Sequence, residues 1–206
     1  MVDLTLYTNP MSRGRIARWM MEEIGEPYET VVLDYGAPMK ASDFLKLNPM
    51  GKVPTLRHGD LVITEAAAIC AYLADAFPEK GLAPPPSDPR RASYYRWMFF
   101  AAGPVECAVT NKALGLESDR KETLGYGSFE DTINTLEQAV SAAPFICGDT
   151  FTAADVYVGA QVSWGLMFKT MPERPAFAEY AARVQARPAY KSATKLDDAL
   201  MPEQQP

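Results

Sequence analysis

The sequence predicts an α/β domain with a mixed four-stranded sheet, followed by an all-helical domain. Strand-like and helix-like segments alternate as far as Phe77, a proline-rich stretch follows, and apolar residues then recur at helical spacing. At 206 residues, of which 48% are hydrophobic, the chain is long enough for two domains that each have a core.

The first domain is predicted to contain a β-α-β unit followed by a hairpin and a helix. Short β-branched and apolar runs indicate strands, and longer amphipathic runs indicate helices. The predicted strands are Leu4–Tyr7, Tyr28–Leu33, Thr55–Arg57 and Leu61–Ile63, and the predicted helices are Ser12–Ile24, Ser42–Leu47 and Glu65–Phe77. The last two strands are joined by His58-Gly59-Asp60, which has the length of a hairpin turn.

A change of composition between Phe77 and Pro89 marks the predicted domain boundary. This stretch holds five prolines and a glycine in thirteen residues, which cannot continue a helix and favour a stiff, extended connection. The predicted division is a domain of residues 1–79, a linker of 80–88 and a domain of 89–206.

Helix-start signals recur in the second domain. Pro89 occupies a favourable first position for a helix over Arg90–Ala102, which Pro104 is expected to end or kink. Ser128 precedes a helix whose predicted buried face consists of Phe129, Ile133, Leu136 and Val140. Thr152 and Asp155 have the spacing of a capping box, which we interpret as a folding element.

Composition excludes several classes of function. The net charge of −6, without a basic cluster, argues against nucleic acid as a partner. The longest apolar run is far shorter than the ~20 residues that span a bilayer, so no membrane association is predicted. The chain starts directly on a strand without the pattern of a signal peptide, and its three cysteines are widely separated, which predicts a cytoplasmic protein. His58 is the only histidine, so we expect no metal site and interpret it as a solvated hairpin residue.

The pair Val53-Pro54 is the most informative feature of the chain. Proline at the start of a strand predicts a fixed turn, and one form of such a turn contains a cis peptide bond. A cis bond would leave the N–H and C=O groups of Val53 unpaired by the sheet. Eleven residues after Pro54, Glu65 opens an apolar helix whose free N–H groups and dipole favour an anion. Extended backbone beside a helix start suits a small peptide that carries a carboxylate.

With these residues the chain resembles the cytosolic glutathione transferase family, of a bacterial type without a cysteine in the active-site loop. The segment Asn48–Leu56, Glu65 and the box Phe151–Val156 carry the resemblance, which extends over nearly the whole chain. It implies a thioredoxin-like first domain, glutathione as the co-substrate and a small hydrophobic electrophile as the second substrate. It also implies a homodimer, with Tyr72, Tyr94 and Tyr95 as candidate contacts.

The resemblance also implies which residues bind the substrates. Val53, with the cis-proline Pro54 after it, would pair with the cysteinyl part of glutathione, and Glu65 with the γ-glutamyl amine. Ala66 stands where the family has serine, so only its N–H is left for the γ-glutamyl carboxylate. Lys52 could reach the glycyl carboxylate or remain solvated. The electrophile pocket is expected between the domains, with Trp97, Phe100 and Trp164 in its wall.

A transferase of this kind must stabilise a thiolate, and the loop Tyr7–Arg13 supplies donors for it. Ser12, as the expected N-cap of the first helix, is the leading candidate, with Asn9 second and Tyr7 or Thr8 as further alternatives. Ser12 could also only cap the helix, and Asn9 could only shape the turn. Arg13 could add positive potential near the sulfur or a glutathione carboxylate.

The predicted function is therefore the conjugation of glutathione to hydrophobic electrophiles. No cysteine precedes Cys70, which argues against disulfide exchange through a thiol of the enzyme. The alternatives are a glutathione-dependent peroxidase, isomerase or dehalogenase on the same site, or a non-catalytic binding protein that keeps the fold.

Overall fold

The computed structural model describes residues 3–116 and 118–201. The chain forms two compact units. The first contains the described residues as far as Phe77 together with those from Arg187 onward, and the second is Pro78–Ala186.

A four-stranded mixed sheet forms the centre of the first unit. Its strands are β1 (Leu4–Thr8), β2 (Glu29–Val32), β3 (Thr55–His58) and β4 (Leu61–Thr64), in the order β2-β1-β3-β4. β1 runs parallel to β2 and antiparallel to β3, and β3 and β4 form an antiparallel hairpin. The predicted mixed sheet is confirmed, with each boundary within a residue or two of its expected position.

Helices α1 (Gly14–Ile24), α2 (Ser42–Leu47) and α3 (Ala66–Ala76) complete the thioredoxin-like part of this unit. The core face of α1 consists of Ile16, Met20 and Ile24, which recur every four residues and are at most 1% exposed. α1 packs against α3, whose Ile69 and Leu73 are fully buried. These contacts fix the first turns of α1 and α3 relative to the sheet.

His58 is not the solvated hairpin residue that the sequence predicted. Its Nδ1 lies 2.8 Å from the hydroxyl of Tyr72, and its ring stacks on Phe77 at a centroid distance of 6.0 Å. The hairpin loop is only Gly59-Asp60, which keeps His58 inside β3 and turns its ring toward α3.

The second unit is helical, as predicted. Its helices are α4 (Arg90–Phe100), α5 (Glu106–Ala113), α6 (Phe129–Ala142), α7 (Ala153–Met167) and α8 (Pro175–Gln185). A π-helical turn, Ala101–Val105, joins α4 to α5 and contains Pro104, so the regular helix ends just before the proline as expected. On α6, Ile133, Leu136 and Val140 are buried, whereas Phe129 is only half-buried.

The last helix, α9 (Pro188–Asp198), packs on α1 in the first unit. The ring of Tyr190 meets Trp19 edge to face at 4.9 Å, and Asp197 forms a buried ion pair with Arg18 at 2.7 Å. The predicted division places this segment with residues 89–206, whereas its packing is with the first unit. Periodicity identifies the buried face of a helix but not the element that covers it.

None of the described helices is long and apolar enough to cross a membrane.

Candidate active site

The sheet register brings three separate segments of the chain to one edge. Tyr7 pairs with Thr55 in the β1–β3 ladder, and Thr55 pairs with Thr64 in the β3–β4 ladder. The loop after β1, the residues before β3 and the residue after β4 therefore start from adjacent strands at the same end of the sheet. These segments contain Ser12, Val53 and Glu65, which were predicted to belong to one site.

The peptide bond between Val53 and Pro54 is cis, as anticipated. Val53 is half-buried, and its N–H and C=O groups make no backbone hydrogen bond within residues 3–116 and 118–201. Asn48 holds this turn, because its Nδ2 donates to the Lys52 carbonyl at 2.8 Å and to Thr55 Oγ1 at 3.2 Å. The backbone of Val53 is therefore presented on a rigid turn, with a donor and an acceptor able to pair with an extended peptide.

Glu65 occupies an unusual backbone conformation directly before α3. Its φ of 66° and ψ of 118° lie outside the regions that non-glycine residues populate, a conformation that costs about 1–3 kcal/mol. The side chain is exposed, and the carboxylate has no hydrogen-bond partner in the described part of the chain. The strained residue thus holds an unpaired carboxylate at the start of a helix.

Ala66 is the first residue of α3 and is buried, so its side chain adds no donor to this helix start. The N–H groups of the first helical turn remain available for an anion, as at any helix N-terminus. Glu65 directly precedes the residues that carry the first N–H groups of α3. Together they match the amine and carboxylate of an amino acid.

Two lysines lie close to the Val53 turn. Lys52, directly before Val53, is exposed. Lys40, which the sequence did not predict for this site, reaches the same turn and donates from Nζ to the carbonyls of Met50 at 2.8 Å and Gly51 at 3.2 Å. This approach requires glycine, because a Cβ on Gly51 would lie 2.5 Å from the Met39 carbonyl and 2.9 Å from Lys40. No local sequence signal connects Lys40 to residues ten and eleven positions away.

The loop after β1 differs from its prediction at Ser12. The helix begins at Gly14, with Arg13 at the N-cap, so Ser12 lies one position outside the expected cap. Its hydroxyl donates to the Asn9 carbonyl at 2.7 Å and accepts the Gly14 N–H at 2.9 Å. The hydrogen bond to Asn9 closes a tight turn that delays the start of the helix. Ser12 is half-buried, and its proton must leave the Asn9 carbonyl before it can bind another acceptor.

Asn9 has the role of a loop organiser. Its Nδ2 donates to the Leu33 carbonyl at 2.9 Å, and its Oδ1 accepts the Met11 N–H at 2.9 Å. The residue is 3% exposed, so both ends of the amide are engaged inside the protein. This geometry favours the interpretation that Asn9 shapes the turn.

Thr8 and Tyr7 point to opposite sides of the end of β1. Thr8 is fully buried, and its Oγ1 has no partner among the described residues. A Cβ on Gly14 would lie 2.0 Å from this Oγ1, so glycine is needed for α1 to approach β1 so closely. The half-buried ring of Tyr7 contacts Phe44 of α2 at 5.7 Å.

The apolar residues assigned to an electrophile lie in the second unit. Trp97 is 7% exposed and packs edge to face against Phe100 at 5.5 Å, while Arg96 covers its ring at 4.4 Å. Phe100 and Trp164 are half-buried. Trp97 therefore belongs mainly to the core, and Phe100 and Trp164 retain surface that a ligand could contact.

Two cysteines lie in environments that oppose thiolate formation. Burial raises the pKa of the Cys70 thiol well above its ordinary value. Burial and the nearby charge of Asp155 raise the pKa of Cys147 to about 11. Neither residue has the properties of a reactive cysteine at neutral pH.

Known proteins resemble this chain in sequence and in fold. Residues 2–75 match the family model described as Glutathione S-transferase, N-terminal domain. Glutathione S-transferase GST-4.5 of Xanthomonas campestris is 30% identical over 172 residues, which cover 78% of this chain and 82% of that protein.

Two solved structures cover almost the whole chain. A glutathione transferase from Methylococcus capsulatus superposes with a TM-score of 0.80 at 29% identity, covering 95% of this chain and 99% of that one. A sphingomonad glutathione S-transferase complexed with glutathione has a TM-score of 0.78 at 26% identity, covering 94% of this chain and 98% of that one.

Proposed function

The chain belongs to the glutathione S-transferase family, and on that premise we propose that it conjugates glutathione to small hydrophobic electrophiles in the cytoplasm. The observation that carries the proposal is the row Tyr7–Thr55–Thr64, which aligns the loop after β1, the Val53 turn and Glu65 at one edge of the sheet. Each of the three segments offers one element that the reaction needs.

In this proposal glutathione binds as a short extended strand. Val53 pairs with its cysteinyl backbone, Glu65 binds the γ-glutamyl amine, and the N–H of Ala66 binds the γ-glutamyl carboxylate. The glycyl carboxylate binds to one of two candidate lysines, Lys52 or Lys40. The thiol then lies toward the loop after β1, where Ser12 donates to the sulfur and Arg13 adds positive potential.

Thiolate formation sets the energetic demand on this loop. A free cysteine thiol with a pKa of ~8.5 is only a few per cent ionised at pH 7. Lowering that pKa by two units requires about 2.7 kcal/mol of preferential stabilisation of the thiolate. One charge-assisted hydrogen bond from the Ser12 hydroxyl, with the positive end of α1 nearby, is of this size.

The electrophile is proposed to contact the exposed parts of Phe100 and Trp164. An apolar surface of this kind selects for hydrophobicity but does not distinguish a conjugation substrate from a hydroperoxide or a maleyl compound. A panel of aromatic halides, hydroperoxides and maleyl compounds, assayed with glutathione, separates a transferase from a peroxidase, isomerase or dehalogenase. Glutathione binding without turnover of any of them would favour a non-catalytic binding protein.

Glu65→Ala is expected to remove most of the stabilisation that glutathione gives to the folded protein. A ligand at 100 times its dissociation constant stabilises by about 2.7 kcal/mol, so the parent melting temperature should rise with glutathione concentration in the millimolar range. Without the carboxylate the γ-glutamyl amine loses its ionic partner, and the shift should nearly vanish. A thermal melt with and without ligand measures both quantities.

Glu29→Ala is the matched control, because Glu29 is an exposed glutamate on β2, at the far side of the sheet from β4. It removes the same charge and should keep the full glutathione shift. A Glu65 variant that responds like the parent would contradict the assignment of Glu65 to the γ-glutamyl amine.

We also propose a homodimer, with α4 as part of its interface. Tyr95 and Phe99 are 42% and 69% exposed on α4, and their rings lie 6.3 Å apart. Tyr94, predicted as a contact, is fully buried in its own subunit and is withdrawn from the interface. Sedimentation at micromolar concentration should give twice the 22.7 kDa mass of the chain, and a monomer would contradict the proposal.

A further inference from the structure

Arg15, in the first turn of α1, connects the active-site loop to the end of α9. Its Nε donates to the Pro10 carbonyl, and its backbone N–H donates to the Ser12 carbonyl at 3.2 Å. Its Nη2 donates to the Asp198 carboxylate at 2.8 Å. A guanidinium group presents its donors in a rigid planar fork, so anchoring one edge fixes the direction of the other. Asp198 therefore fixes the Arg15 side chain, which in turn holds the carbonyl of Pro10, two residues before Ser12.

The position of Asp198 is fixed by the residue beside it. Asp197 accepts from Arg18 Nε at 2.7 Å, and both side chains are at most 3% exposed. Nearer the start of α9, the Ser192 hydroxyl donates to the Glu22 carboxylate at 2.6 Å. The carboxylate of Asp198 is 59% exposed, yet it stands on a helix that is docked on α1 through buried contacts.

We propose that Asp198 is a positioning residue for thiol activation, which acts through Arg15 to hold the turn from Pro10 to Ser12 in its productive geometry. This inference rests on the proposed function. It gives the C-terminal helix a part in the reaction, although α9 lies far along the chain from the loop that carries the donor. The benefit arises because a hydrogen bond to a thiolate weakens steeply when its donor is misaligned.

Arg15 is also a positive charge, and a charge near the sulfur would stabilise the thiolate without any positioning. The two roles predict opposite signs for Asp198→Asn. If Arg15 acted only as a charge, loss of the neighbouring carboxylate would leave it uncompensated and would lower the thiol pKa. If Asp198 positions the loop, the neutral amide of asparagine holds Arg15 less firmly than the carboxylate does, and the thiol pKa rises.

The test is an ultraviolet titration of the thiolate of glutathione bound to the full chain, for the parent, Asp198→Asn and Arg15→Lys. Both variants keep the positive charge on α1. We expect each to raise the thiol pKa by about 0.5 unit, which is about threefold less thiolate at a pH below that pKa. Glutathione affinity at a pH where the thiol is fully ionised should stay close to that of the parent.

Ser192→Ala is the control, since it removes a hydrogen bond between α9 and α1 that does not involve the loop. It should leave the thiol pKa unchanged. A lowered or unchanged pKa in Asp198→Asn overturns the inference, and so does an equal rise in Ser192→Ala. A parent chain that binds no glutathione would overturn the proposed function together with this inference, so the two failures are distinguishable.

Discussion

Asp155→Ala is expected to lower the free energy of unfolding by about 3–5 kcal/mol, as when one partner of a buried polar network is removed. The carboxylate is fully buried and accepts four hydrogen bonds. Its donors are the N–H of Ile146 at 2.7 Å, the N–H and hydroxyl of Thr152 at 2.9 and 3.1 Å, and the hydroxyl of Tyr180 at 2.9 Å. Alanine would leave these donors without their acceptor inside the second unit.

The same capping pattern occurs on the surface of the protein and provides a matched control. Asp131 stands three residues after Ser128 at the start of α6, accepts from the Ser128 hydroxyl at 2.6 Å, and is exposed. Asp131→Ala should cost only ~1 kcal/mol, the ordinary value of a helix cap, because water replaces the lost partner. Urea denaturation of both variants measures the difference. Equal losses would show that the buried network adds nothing to the cap.

The contrast between the two boxes shows how far sequence reasoning reaches. The spacing of Thr152 and Asp155 predicts the cap, since a capping box is a local pattern of four residues. The same pattern does not reveal that Tyr180, 25 residues later, donates to the carboxylate. That contact depends on how α8 packs on α7, and packing is not encoded in local spacing. The capping box is therefore present as predicted, whereas the large effect expected for Asp155→Ala follows only from the structure.

The residues of the candidate site also fall into those that local sequence signals predict and those that depend on the fold. Val53-Pro54 and Glu65 could be found because proline chemistry and a helix start are local signals, and the sheet register then brings them to one edge. The N-cap assignment of Ser12 failed because a backbone turn, in which the Ser12 N–H donates to the Asn9 carbonyl, precedes the helix and moves its N-cap to Arg13. The link from Arg15 to Asp198 joins residues 183 positions apart and has no sequence signal at all.

Ser12→Ala is expected to raise the pKa of bound glutathione by one to two units. A hydrogen bond to a charged acceptor contributes about 1.5–3 kcal/mol, which corresponds to that shift and to roughly 10- to 100-fold less thiolate at a pH below the pKa. The Ser12 hydroxyl donates to the neutral Asn9 carbonyl, and a thiolate is a stronger acceptor, so the sulfur should take over this hydrogen bond. Turnover should fall at neutral pH and recover as the pH approaches the new pKa.

Ultraviolet titration of the complex, with a urea melt of the same variants, separates this role from a structural one. Loss of the hydrogen bond from the Gly14 N–H alone would cost ~1 kcal/mol of stability and leave the titration unchanged. Asn9→Ala, run in parallel, should instead destabilise the loop, because its amide bonds to Leu33 and Met11 hold the turn. Thr8→Val tests the buried hydroxyl behind the loop, which has no partner within the described residues. A thiol pKa that shifts in Thr8→Val but not in Ser12→Ala would identify Thr8, and not Ser12, as the hydrogen-bond donor to the sulfur.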